Sequence, residues 1–108
     1  MTVSMNNEAL VTLNAPPDLE ESIVDWLLAR EDSIGFTSFQ VYGHSTSHAG
    51  LSPAEQVSGR QRRQQFQIHV PAEDVDSFIE GVRESFGAAG IHFWVLPLTL
   101  GGRLEHLR

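Results

Sequence analysis

The chain has 108 residues, a formal net charge of −7, no cysteine and no lysine. That length fits one domain with a core of its own, and the missing thiols exclude disulfides and thiolate metal sites, leaving histidine and carboxylates as transition-metal ligands. The acidic balance also speaks against a phosphate-backbone binder, so nucleic acid is not an expected partner.

Ala9-Leu10-Val11-Thr12-Leu13-Asn14, apolar and partly β-branched, predicts a first strand that Ala15-Pro16-Pro17 stops. Asp18-Leu19-Glu20-Glu21 resembles a capping box with aspartate in the capping place. Leu19, Ile23, Trp26, Leu27 and Arg30 then recur at helical spacing until Glu31-Asp32-Ser33 ends the helix. Ile34 to Gly43 predicts a second strand whose apolar phase shifts from Ile34 and Phe36 to Phe39 and Val41, so a bulge is expected near Thr37-Ser38.

Gln65 to Val70 alternates, with Phe66, Ile68 and Val70 on one face and Gln65, Gln67 and His69 on the other, until Pro71 stops it. Ala72 to Phe86 predicts a second helix with Val75, Phe78, Ile79, Val82 and Phe86 as its apolar stripe, closed by Gly87 to Gly90. Ile91 to Leu96 is a last strand, apolar on both faces, before Pro97. The order β-α-β-β-α-β predicts a ferredoxin-like α+β sandwich within a single domain spanning 1–108, its core about 9–100 and its tail 101–108.

Two helices cover only one face of a four-stranded sheet. The face bearing Gln65, Gln67, His69 and either Phe93 or Trp94 is left open, and a final strand apolar on both sides predicts sheet-mediated association into a cyclic homo-oligomer. The N-terminal residues show no basic stretch leading into an apolar one, and no apolar run approaches the ~18 residues of a membrane span. A cytoplasmic protein without direct membrane insertion is the expectation.

The stretch from His44 to Arg60 is far longer than the ~2–5 residues of an ordinary hairpin loop, and candidate function concentrates there. His44 and His48 are four apart, although Ser45-Thr46-Ser47 and Ala49-Gly50 argue against a helix, so a metal site would need a third ligand such as Glu55 or a residue of another subunit. Arg60, Arg62 and Arg63 form the one dense basic cluster, suited to a small anion or an acidic partner surface. His69 and His92 fall on strands and could meet across the sheet or at a subunit interface; His106 lies in the tail.

Catalytic motifs are not found: there is no cysteine nucleophile, no Gly-x-Ser-x-Gly turn, no His-Glu-x-x-His and no phosphate loop ending in lysine. Asn14-Ala15-Pro16-Pro17 also lacks the arginine-bearing phosphate cradle that an acylphosphatase-like enzyme would place after its first strand. A non-enzymatic protein is expected. The enzymatic alternative, a small α+β barrel isomerase or monooxygenase with His69 or His92 as base, would require a closed apolar pocket.

The combination Val41-Tyr42-Gly43-His44, Ala54-Glu55-Gln56-Val57-x-Gly59-Arg60 and Trp94-Val95-Leu96-Pro97, set in this order of elements, resembles a PII-like family over about residues 9–104. In particular it resembles an uncharacterised bacterial group of unknown function often encoded beside heavy-metal efflux pumps. The resemblance implies a homotrimer whose long connection, about 44–60, corresponds to the PII T-loop, docks onto a membrane transporter or enzyme, and answers a small effector bound between subunits. By position it would place Gly43, Arg60, Arg62, Arg63 and Arg103 around that effector. Gly87-Ala88-Ala89-Gly90 has no lysine where PII proteins hold nucleotide phosphates, and Tyr42 precedes the loop, so the chain departs from the PII pattern at the ATP phosphates and offers no obvious target for uridylylation. The efflux association favours a divalent metal such as zinc or copper on His44, His48 and Glu55, with a nucleotide or other anion on the arginines as the second reading.

Overall fold

Strand β1 (Glu8–Ala15) buries Ala9, Val11, Leu13 and Ala15 on one side and sends Glu8, Leu10, Thr12 and Asn14 to the other, as the twofold period of a strand requires. The computed structural model describes residues 7–30, 35–44, 53 and 60–106. After β1 come a 3-10 turn (Pro17–Leu19), helix α1 (Glu20–Leu28), β2 (Gly35–Gly43), β3 (Gln61–Pro71), a second 3-10 turn (Ala72–Asp74), α2 (Val75–Phe86) and β4 (His92–Leu98). The sheet order is β2-β3-β1-β4, with every neighbouring pair antiparallel. The result is a small α+β fold with a four-stranded antiparallel sheet and two helices.

Both helices lie on the face that carries Val11, Leu13, Phe66, Ile68 and Val70. From α1, Ile23 and Leu27 are buried there, and from α2, Phe78 and Val82. Full burial of a side chain of this size contributes about 1.5–3 kcal/mol. Trp26 stands edge-on to Phe78 and Phe86, with ring centroids 5.6 and 6.2 Å away, and Arg30 lays its guanidinium 4.6 Å from the centre of the Trp26 ring. The helical stripes read from the sequence are therefore the ones that pack. No helix among the described residues is long and apolar enough to cross a membrane.

Four details depart from expectation. The β2–β3 register runs from Gly35↔His69 to Gly43↔Gln61 without a skipped residue, so no bulge interrupts it. The phase shift instead records two differently used faces: Phe36 joins the core beside Ile68, whereas Phe39 and Val41 stand on the open face. Strand β3 begins at Gln61, which makes Arg62 and Arg63 strand residues rather than the end of a loop. No side chain caps α1; Asp18 lies in the preceding turn, where its charge still favours the helix start. Finally, β4 continues through Pro97 to Leu98, which its edge position allows because alternate residues of an edge strand direct their N–H to the side without a neighbouring strand, where a proline forfeits no ladder bond.

The register also settles which aromatic residue faces outward. Thr12 pairs with both Gln67 and Trp94, so Trp94 shares the open face with the glutamines and Phe93 belongs to the helix side. His69 of β3 pairs with Leu10 and His92 of β4 with Asn14, toward opposite ends of the intervening β1. Of the two ways in which these histidines could meet, across the sheet or at a subunit interface, the register removes the first.

Candidate functional site

The strand bounds place the 44–60 connection between Gly43 and Gln61, the last paired residues of the β2–β3 ribbon. Of the connection itself, His44, Pro53 and Arg60 are among the described residues; His48 and Glu55, the other expected metal ligands, lie outside them. His44 is exposed. No group of three His, Asp or Glu side chains that could hold a metal occurs among the described residues.

Strand alternation divides the three arginines. Arg62 stands opposite Tyr42 and Arg63 opposite Val41, so their side chains leave opposite faces of the sheet. Arg60 places its guanidinium carbon 5.3 Å from the centroid of the Tyr42 ring, within cation–π range. Tyr42, Arg60 and Arg62 are all exposed. They gather at the end of the ribbon on the helix side, and the next pair on that side is Gln40 and Gln64.

Arg63 is only 8% exposed. Its Nε donates to Asn14 Oδ1 at 2.6 Å, and its Nη2 donates to the carbonyl oxygens of Asn14 and Gly90, each at 2.8 Å. One guanidinium thus ties the root of β3 to the end of β1 and to the turn before β4. Burial pulls its pKa below the ordinary guanidinium value. Arg63, expected beside Arg60 and Arg62 around an anion, directs these donors at acceptors of the protein itself. Gly90 occupies the left-handed region at φ 75°, which presents its carbonyl oxygen in a conformation glycine adopts without strain.

Gly43 has ordinary backbone angles, and a Cβ built on it would lie 3.5 Å from Arg63 Cγ, a normal contact. Its backbone gives no reason for glycine. Arg103 forms an ion pair with Glu105 within the tail, where a 3-10 turn covers Leu104–His106. On the open face His69 Nδ1 lies 3.4 Å from Glu8 Oε1. This pairs an imidazole with a carboxylate on a sheet surface, not in a closed apolar pocket.

Tyr42, Asn14 and Gly90 were missed as partners of the arginines. The signal for Asn14 was available: it is a polar residue on an apolar strand, two residues from a proline. A shallow depression lined by Pro17, Asp18, Glu20, Glu21 and Val24 lies at the start of α1, where its carboxylates already complement the helix dipole.

No curated protein matches the chain. The structure is similar to the crystal structure, at 2.40 Å resolution, of a DUF3240 family protein from Shewanella baltica OS155, with a TM-score of 0.75 and 24% sequence identity over 93% of this chain and 99% of that one. This likeness concerns the fold alone. The model of the family described as protein of unknown function (DUF3240) matches residues 5–105, and the chain belongs to that family.

Proposed function

We propose that the chain is a non-enzymatic, PII-like binding protein on a ferredoxin-like arrangement, which assembles as a homotrimer through its open sheet face and receives a small effector at the root of the 44–60 connection. The observation that carries the assembly is how charge is distributed. Four acidic residues lie on α1 and its leading turn (Asp18, Glu20, Glu21, Asp25) and five on α2 and its leading turn (Glu73, Asp74, Asp76, Glu80, Glu84), all on the helix side. The open face carries Glu8 and Arg63 as its formal charges, the first beside His69 and the second bound to Asn14 and Gly90. Its exposed large apolar residues are Phe39, Trp94 and Leu96. Copies of a strongly acidic chain can approach through such a face without like-charge repulsion, and depletion of charge with enrichment of aromatics is what interface cores show.

Two ligand classes compete for the effector. The resemblance to efflux-associated proteins supports a divalent cation, zinc or copper, on His44, His48 and Glu55, with a transporter as the partner that senses the bound state. The flanking of the same ribbon end by Arg60 and Arg62 supports an anion, because a cation brought to His44 meets two guanidinium groups nearby. Native mass spectrometry after addition of zinc or copper, and separately of ADP, decides between them. A trimer that takes up one metal per subunit, and loses it with His44→Ala or His48→Ala while staying folded, supports the first class. A trimer that holds nucleotide and loses it with Arg60→Ala supports the second. A monomer that binds neither removes the proposal.

A further inference from the structure

We infer that Glu8 and His69 form a proton-linked pair in the assembling sheet face, so that association with further copies of the chain takes up a proton at His69. The inference rests on the assembly reading above and adds to it a dependence on pH. Glu8 opens β1 on the open face, where its cross-strand neighbours are Pro71 and Leu98, neither of which has a side-chain donor to offer. The group that does reach it is His69, whose Nδ1 lies 3.4 Å from Glu8 Oε1. The carboxylate is already largely withdrawn from water, its side chain 17% exposed, whereas 45% of the His69 side chain remains open for a second copy to cover. The direct neighbours of His69 across the strands are Leu10 and Gly35, and among the described residues Glu8 is the one strand carboxylate on this face.

Association removes this pair from solvent. With a neutral imidazole, each subunit would bury one uncompensated carboxylate charge in the contact, and like charges from three subunits would gather in one assembly. A proton on His69 turns the couple into an ion pair of zero net charge. The associated chain therefore binds more protons than the separate one, and association strengthens as pH falls through the range, about 5–8, in which histidine changes charge. His92 is the other histidine on the face. It stands opposite Asn14, whose side chain accepts from Arg63, and its row across the sheet (Asn14, Gln65, Phe39) holds no carboxylate. A proton there adds a second cation on the face that holds the Arg63 guanidinium and opposes association, so the effect of the Glu8 and His69 pair is read as a difference between chains that share His92.

The test is sedimentation velocity of the full chain over a concentration series at pH 8 and pH 6, on wild type, Glu8→Gln, His69→Gln and the double variant, with circular dichroism to confirm the fold. If no monomer is populated, the rate of subunit exchange between labelled and unlabelled trimers replaces the equilibrium. The pair predicts that wild-type association strengthens by at least about tenfold more between pH 8 and pH 6 than that of Glu8→Gln. His44, His48, His92 and His106 are common to both chains and cancel. His69→Gln should associate more weakly than wild type at pH 6, and adding Glu8→Gln to it should recover association, because the stranded carboxylate is then removed. The same pH dependence in wild type and Glu8→Gln would overturn the proton linkage while leaving assembly in place. A double variant as weak as His69→Gln would point to lost packing rather than charge and overturn it too. A chain that is monomeric at both pH values would overturn the linkage together with the assembly reading.

Discussion

Arg63 carries its charge out of solvent and into a set of carbonyl oxygens, so its worth is best gauged by what a substitution leaves behind. Lysine keeps the charge but not the fork, and cannot donate along the directions that Nε and Nη2 use toward Asn14 and Gly90. Arg63→Lys should lower stability by about 1–3 kcal/mol, and Arg63→Ala by more, because buried acceptors lose their donor. Urea denaturation measures this as a lower midpoint with an unchanged slope. The sequence grouped Arg60, Arg62 and Arg63 because their composition is the same. What separates them is parity, which has meaning only once β3 is known to begin at Gln61. The polar run Gln61-Arg62-Arg63-Gln64 hides that beginning, since its pairing with Tyr42 and Val41 is a tertiary fact.

The helices were the most legible elements, because their apolar stripes repeat over enough residues to fix a face. Phe78 is the centre of that packing, fully buried and set edge-on to Trp26. Phe78→Ala should cost about 3–5 kcal/mol, read from the same denaturation curves. A subtler prediction concerns Gly81 in the middle of α2. Alanine there ordinarily gains about 1 kcal/mol of helix propensity. Here its Cβ would come within 3.0 Å of Arg30 Nη1 and 3.1 Å of Trp26 Cζ2. The arginine tip can move, but the indole is held by Phe78 and Phe86. Gly81→Ala should therefore bring no gain in thermal midpoint, and a rise would show that Trp26 yields. The sheet edges were less legible. The apolar residues of β2 are divided between the core and the open face, which in sequence looked like a slipped phase.

At the scale of the whole molecule, one surface differs from the rest. The helix side is acidic and solvated, while the sheet side is nearly devoid of available charge and exposes Phe39, Trp94 and Leu96. That a face would remain open was legible from counting elements. Its charge depletion could be seen only after the register placed each residue, since Glu8 and Arg63 read as ordinary solvated charges until their partners are known. A carboxylate placed at the centre of a buried apolar contact, without a partner, is strongly unfavourable. The most direct test is light scattering after gel filtration on wild type and on Trp94→Glu, with circular dichroism to confirm that both are folded. A trimeric wild type beside a folded, monomeric Trp94→Glu is the predicted result; a monomeric wild type, or a trimer that Trp94→Glu leaves intact, would contradict assembly through the sheet face.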